Sequence, residues 1–561
     1  MKTTDNRQRT TDNGQRTTLV FFIAIIAFYL YGLNLIPFVG PDEPRYAQVG
    51  REMFERGDWI TPTLGGYTWF EKPALFYWFE IISYHLFGVS EFSARLGSAL
   101  SGLIVAFTLY WFGNKIQNSK EQATDNGQRT TDNGQRTTDN GLWASLVFAT
   151  SLGAIAFSRG ASFDIIVTMP ITVSLAFFFV SDIEENERKR FWYLTVFYAF
   201  MGVALLAKGL VGIVIPCGVL FWYFAIQRRL PDRKFFLSLL WGIPLCLLVA
   251  AAWYAPVIMK HGWEFVDEFF IQHHFARYTS NKYLHPQPFY FFFLIAPLFV
   301  LPWTPFLITS LWKFKNFQWR KIESVDERFQ LFVLIWLLLP ILFFSLSGSK
   351  LPGYILPVLP AIAMFAGQQI SSQENMKAMR VTGILLILVS IAGAIFVLRK
   401  TDVSKLCVML VLVPPCIAGA FAIVGEQKRK LYVLLIAGAV IFSSVVALNC
   451  LVNTFVRRDS VAELIVASYV RGFIKNPVLC LHTINHSAEF YAAERLWRDK
   501  DGKQKRFEDV TEIAEVSRRG RQKVLVLVPL EYVHQLTESK TMYAEKISDN
   551  GELAIVAIAA K

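Results

Sequence analysis

Two short segments after the first apolar run combine carboxylates with cations. Pro41-Asp42-Glu43-Pro44-Arg45-Tyr46-Ala47 carries two acids and a guanidinium, and Phe70-Glu71-Lys72-Pro73 adds an acid beside an ammonium. A carboxylate can orient a hydroxyl and take its proton as general base. Lysine or arginine can neutralise the charge that develops on a phosphate leaving group. Ser158-Arg159-Gly160-Ala161-Ser162-Phe163-Asp164 is a very short link between apolar runs, and Ala207-Lys208-Gly209 sits similarly deep. Ionisable groups at such depth are costly and are functional candidates by default. His273-His274-Phe275-Ala276-Arg277-Tyr278 offers imidazoles and a guanidinium. Imidazole with carboxylate suits zinc or another divalent ion, and Glu71 is the acid that would pair with His274. Lys350 and Tyr354, in Ser349-Lys350-Leu351-Pro352-Gly353-Tyr354, place a cation and a phenol at the mouth of a span, where a phosphate headgroup would suit them.

Each feature has a plainer use. Asp42 and Glu43 would also suit a solvated helix N-terminus. Lys72 could snorkel to the headgroups, and Lys350 and Tyr354 could be interfacial anchors. Lys208 could be a structural partner for a carboxylate, and Glu71 with His274 a simple hydrogen bond.

The elements that must position these residues are membrane helices. Of the 561 residues 53% are hydrophobic and 15% aromatic, a polytopic membrane composition. About thirteen apolar runs approach the length needed to span hydrocarbon, near 19–39, 92–112, 142–157, 165–181, 192–207, 210–226, 235–258, 289–312, 329–346, 353–370, 381–398, 404–424 and 431–451. With the N-terminus inside, the connections carrying Arg188-Lys189-Arg190, Arg228-Arg229, Arg233-Lys234, Arg320-Lys321 and Lys428-Arg429-Lys430 all fall on one side. The positive-inside rule makes that side cytoplasmic. The net charge of +12 is thus an orientation signal spread among loops, and nucleic-acid binding is excluded for want of a continuous basic face. Asp42, Glu43, Arg45, Glu71, Lys72, Asp164, Lys208, His273, His274, Arg277, Lys350 and Tyr354 then converge on the external face. Of the six cysteines, five lie in apolar runs and only Cys480 lies in the external tail, which indicates neither a disulfide framework nor a cysteine metal site.

Residues 1–18 read as a disordered cytoplasmic tail, 19–454 as the membrane domain with an insertion at 115–141, and 455–561 as a small external α/β domain. The tail and the insertion share the unit Thr-Thr-Asp-Asn-Gly-Gln-Arg, which recurs between Thr124 and Gly141. The unit has no apolar position to form a coiled-coil seam. The heptanucleotide ACAACGG read three times encodes it, so repeat expansion in DNA explains its origin; mixed synonymous codons across the repeats would refute this. In the external domain, His482, His486 and Glu489 read as soluble-domain surface in preference to metal ligands.

Asp42-Glu43 with Arg45-Tyr46-Ala47, Glu71-Lys72-Pro73, the Asp164 loop, Ala207-Lys208-Gly209, His274 with Arg277, and Lys350-Leu351-Pro352 with Tyr354-Ile355-Leu356-Pro357 occur in one order. Together they resemble the ArnT-like aminoarabinose lipid A transferase family, related to the protein O-mannosyltransferases and built on the membrane-embedded GT-C glycosyltransferase fold. The resemblance covers roughly residues 19–370, and Gly353 inside the Lys-Leu-Pro motif departs from its pattern. It implies transfer of a sugar from a polyprenyl-phosphate carrier, with inversion, to a lipid A-like glycolipid, another glycan or a protein hydroxyl at the external face of a bacterial inner membrane. Asp42 would be the principal catalytic carboxylate and Asp164 the second. Arg45, Lys72 and Tyr354 would face the carrier phosphate; Glu43, Lys208, Arg277 and Lys350 would line the substrate site. Glu71 and His274 would bind a divalent metal, zinc by its ligand chemistry. The competing class is a lipid or glycan transporter; against it, the polar motifs gather at one face and no two-half repeat is visible. A sensor protein would leave the acidic and lysine motifs without a use.

Overall fold

The computed structural model describes residues 18–124, 139–276, 286–319, 321–371, 376–401, 403–425 and 429–561, without the side chains of 121–124, 139 and 274–276. Most of both repeat segments, Arg277 and the His274 side chain lie outside the described residues.

In hydrocarbon a segment must satisfy its own backbone polar groups, so the long apolar runs become helices. The chain opens with α1 (Thr18–Leu30), the shorter α2 (Asp42–Arg56), a hairpin of β1 (Thr63–Leu64) and β2 (Tyr67–Thr68), and α3 (Leu75–Phe87). There follow α4 (Glu91–Thr124), α5 (Asp139–Ala149), α6 (Leu152–Arg159), α7 (Phe163–Ile183), α8 (Glu187–Lys208), α9 (Val211–Gln227) and α10 (Arg233–Val266). Helix α10 kinks at Gly262, whose φ is 58°, and continues in wide π-helical turns over Asp267–Ala276. The remaining membrane helices are α11 (Phe291–Phe299), α12 (Thr304–Lys313), α13 (Val325–Ser345), α14 (Leu359–Ser371), α15 (Met376–Lys400), α16 (Lys405–Val424) and α17 (Arg429–Cys450).

Among the described residues nine helices are long and apolar enough to cross a membrane, or eleven if two bent pairs each form one span. This is a polytopic helical membrane protein. The expected thirteen exceeds that number because α1 and α9 are shorter than a full span and because α5–α6 and α11–α12 bend by 60° and 117°. The two bends face each other. Leu152 N–H donates to Leu301 O at 3.0 Å, and Trp303 Nε1 donates to Thr150 Oγ1 at 3.0 Å. Each break thereby satisfies polar groups the other leaves open.

The last part of the chain is a five-stranded mixed sheet in the order β4-β3-β5-β7-β6, formed by β3 (Val478–Leu481), β4 (Arg506–Phe507), β5 (Val524–Pro529), β6 (Met542–Asp549) and β7 (Leu553–Ala560). Strands β4, β3 and β5 are parallel, and β7 is antiparallel to both neighbours. Cys480, Leu525 and Leu527 pack with Leu464 and Ile465 on one face, while Leu479, Val524 and Val526 pack with Ile513 and Ala514 on the other. Burial on both faces explains why these strands are continuous apolar runs.

One expectation fails here. Cys407 and Cys450 form a disulfide, with Cα atoms 6.1 Å apart. Their apolar surroundings hid it: Cys407 begins α16 and Cys450 ends α17, and antiparallel packing of these helices brings the two ends together.

Candidate active site

Helix α2 begins with Asp42 and Glu43, where unpaired backbone N–H groups favour carboxylates. It buries Tyr46, Ala47, Val49 and Met53 and ends at Gly57, whose φ of 64° closes the helix. The two neighbouring acids serve different ends. The Asp42 side chain is 51% exposed and accepts from Arg45 Nη2 at 2.7 Å. The Glu43 side chain is 12% exposed and bound on both oxygens: Arg95 donates to it from Nε at 2.9 Å and Nη2 at 2.8 Å, Val39 N–H at 3.2 Å and Ala161 N–H at 2.6 Å. Arg95 also donates to the carbonyls of Leu33, Ile36 and Pro37. Glu43 lines the cavity while both of its oxygens are engaged by Arg95 and by backbone N–H groups.

The polar residues surround a cavity of about 380 Å³. Asp42, Glu43 and Tyr46 come from α2, Glu71 and Lys72 from the segment before α3, Asp164 from the first turn of α7, Lys208 from the last turn of α8, and Tyr354 from the turn before α14. The expected convergence of distant motifs is therefore observed for these residues. Lys72 Nζ lies 3.3 Å from Glu71 Oε1. Asp164 forms an ion pair with Lys208, whose Nζ is 4.9 Å from the Tyr354 ring centroid. A Cβ on Gly353 would lie 1.8 Å from Asp164 Oδ2. That clash explains glycine in the Lys-Leu-Pro turn: the Asp164 carboxylate fills the space a side chain would take.

Arg45 stands behind Asp42, also donating from Nε to Pro41 O at 2.6 Å and lying 5.7 Å from the Trp69 ring. Burial works against its charge, yet Glu71 and Asp42 hold the guanidinium above its ordinary value. Lys350 is turned away from the cavity, nearly buried, and donates to Ser347 O at 2.7 Å. It therefore braces a loop whose Ser347 lines the cavity. His273 lines the cavity, whereas the His274 side chain and Arg277 lie outside the described residues. Among the described residues no group of three or more His, Cys, Asp and Glu side chains is arranged to hold a metal. In the C-terminal sheet domain, His482 engages Glu508 and Gln535, and buried Glu489 pairs with Arg498. His482 and Glu489 thus belong to internal contacts, which the surface reading missed.

Arg95 was the main residue missed. An arginine one turn into the apolar run 92–112 was a signal. A second cavity, of about 470 Å³ and almost wholly apolar, lies between α8, α9 and α10, lined by Met201, Ile213, Leu220, Phe224 and Leu247. Val211 borders the polar cavity and Ile213 the apolar one.

Comparison with known proteins agrees with this architecture. Residues 15–124 match the family model described as dolichyl-phosphate-mannose-protein mannosyltransferase. The undecaprenyl phosphate-alpha-4-amino-4-deoxy-L-arabinose arabinosyl transferase of Aeromonas hydrophila is 31% identical over 337 residues, 60% of this chain and 57% of the relative. The protein of the same description from Yersinia pestis is 27% identical over 381 residues, 67% of this chain and 63% of the relative. The chain thus spans about three fifths of the length of these curated relatives. The crystal structure of ArnT from Cupriavidus metallidurans bound to undecaprenyl phosphate superposes with a TM-score of 0.76 at 24% identity, covering 96% of this chain and 98% of that one. Its apo state gives 0.72 at 23% identity, covering 97% and 98%. The chain thus has the fold of the ArnT structures and, over part of its length, is similar in sequence to the undecaprenyl phosphate-aminoarabinose transferases and to the mannosyltransferase family model.

Proposed function

We propose that the protein is a membrane glycosyltransferase that moves a sugar from a polyprenyl-phosphate carrier to an acceptor hydroxyl at the external face of a bacterial inner membrane. The observation that carries this reading is the single cavity joining Asp42, Glu71, Lys72, Asp164, Lys208 and Tyr354. A sugar on phosphate already has a good leaving group, so its departure calls for cations more than for a proton donor. Lys72 faces the departing phosphate, and Arg45 adds positive charge while orienting Asp42. Asp42, half exposed, takes the proton of the acceptor hydroxyl. Direct displacement then inverts the anomeric centre, because no covalent glycosyl-enzyme is needed. Asp164, paired with Lys208, whose ammonium lies over the Tyr354 ring, orients the sugar. The apolar cavity between α8, α9 and α10 supports a path for the polyprenyl tail.

Glu71 and His274 are the pair that would hold a divalent ion, whose contribution would be to neutralise charge on the carrier phosphate. The Glu71 carboxylate borders the cavity and suits such an ion, although Lys72 already lies beside it. Metal analysis of purified protein and of Glu71→Ala and His274→Ala tests this pair: metal retained in both variants places the ligands elsewhere.

The reading is tested by deleting the gene and profiling lipids and glycans. The expected result is accumulation of a polyprenyl-phosphate sugar with loss of one glycosylated product. Accumulation of a substrate of another chemical class on one side of the membrane would replace it with the transporter reading. The relatives' description makes undecaprenyl phosphate-aminoarabinose the first donor to supply, and the resemblance of the motifs to lipid A transferases makes lipid A the first acceptor.

A further inference from the structure

Resting on the proposed transferase reading, we infer that the C-terminal sheet domain is part of the frame of this site, with Asp459 and Tyr491 acting as positioning residues that fix the backbone leading into Asp42. The backbone donors of residues 38–40 divide between two supports. Phe38 N–H donates to Tyr491 Oη at 2.9 Å, Val39 N–H to Glu43 at 3.2 Å, and Gly40 N–H to Asp459 Oδ2 at 3.1 Å. Pro41 has no N–H, so the bond to Asp459 is the last backbone donation before Asp42. Gly40 has a φ of 64°, a conformation open mainly to glycine, and the aspartate holds that turn. Neither support is loose. Tyr491 Oη donates onward to Glu91 at 2.7 Å, at the start of α4. Phe38 is fully buried with its ring 4.7 Å from Phe490. Asn485 Nδ2 donates to Asp459 O at 3.1 Å, and Ser487 Oγ accepts from Val461 N–H at 2.9 Å. His486, in this same loop, lies within electrostatic reach of both Arg45 and Asp42. The domain therefore holds the segment that leads into Asp42 together with Arg95, whose guanidinium lies 5.1 Å from the Phe38 ring.

The test uses the full chain in detergent with undecaprenyl phosphate-aminoarabinose as donor and lipid A vesicles as acceptor. Asp459→Ala and Tyr491→Phe should lower kcat about tenfold, a loss expected when a reacting group is misplaced by a fraction of an ångström. KM for the donor and binding of undecaprenyl phosphate should be unchanged. Asp459→Asn, which keeps an oxygen acceptor for Gly40 N–H, should restore most of the turnover. In an Asp42→Asn background the same substitutions should cause little further loss. Normal kcat in both variants, or a full additional loss on top of Asp42→Asn, would overturn the inference. Hydrogen exchange over residues 36–46 judges the frame without any turnover: both variants should exchange faster there, and unchanged exchange overturns it. The two proposals fail differently. Full transfer by Asp42→Asn defeats the base role, whereas silent Asp459→Ala and Tyr491→Phe beside an inactive Asp42→Asn defeat only the frame.

Discussion

Asp42 and Asp164 differ in what already holds them. Asp42 has one oxygen on Arg45 and half of its side chain open to solvent, while Asp164 is paired with Lys208 and pressed against Gly353. Asp42→Asn keeps the shape and removes the base, so turnover should fall about 100-fold with little change in donor binding. Near-normal turnover in folded protein would reject the base role. Gly353→Ala should act on the other wall: its methyl group must push the Asp164 carboxylate out of place, lowering turnover about tenfold or more through misplacement. Unaltered activity in this variant would show that Asp164 is not needed where it stands. The six residues joined by the cavity were legible because ionisable groups are rare in so apolar a chain. The pairing of Glu43 with Arg95 and the bond from Lys350 to Ser347 O were not legible, because a sequence does not reveal which way a side chain turns.

At the level of elements, the site depends on short polar links between helices. Arg95 on α4 binds Glu43 on α2 and three carbonyls of the segment between α1 and α2. Arg95→Ala should cost about 3–5 kcal/mol, because it strands a buried carboxylate and several carbonyls; a denaturation midpoint equal to that of the parent would refute this. Asp58 makes a second link, accepting from Lys260 on α10 at 2.8 Å and from Ile60 and Thr61 N–H groups. Burial works to raise its pKa, but these donors prevail and hold it at about 2. An aspartate lowered in the folded state contributes stability that is fully present above its ordinary value near 3.8. That contribution is lost as pH falls through about 2. The stability gap between parent and Asp58→Asn should therefore be constant near neutrality and shrink across that acid window; a gap independent of pH would show that the link is not ionic. Long apolar runs announced the helices, whereas the paired breaks at 150–152 and 301–303 did not. Their polar groups are satisfied by residues distant in the chain, a relation that no local pattern carries.

Across the whole molecule, charge is sorted to opposite ends of the same helices. Helices α7 and α9 start at the cavity with Asp164 and Val211, and α8 ends there with Lys208. Their far ends carry a different set of contacts: Arg190 with Asp232, Lys234 with Glu187, and Arg229 with Asp182. Lys120 at the far end of α4 likewise meets Asp326 at the start of α13. The basic connections around Arg190, Arg229 and Lys234 are thus at the helix ends away from the cavity. The sheet domain lies on the cavity side through Asp459 and Tyr491. Span-counting places the start of α16 and the end of α17 on that side too, where Cys407 and Cys450 pair. An external, oxidising compartment is where such a bond persists. A thiol reagent applied to denatured protein from intact cells should accordingly leave Cys407 and Cys450 unlabelled until reduction, and should label Cys217, Cys246, Cys416 and Cys480, the free cysteines, directly. A reporter fused after Lys561 should be external in the same cells, and one inserted between Arg229 and Asp232 should be cytoplasmic. Both reporters on one face, or both paired cysteines labelled without reduction in an envelope-competent host, would break the orientation on which an externally facing transfer site depends.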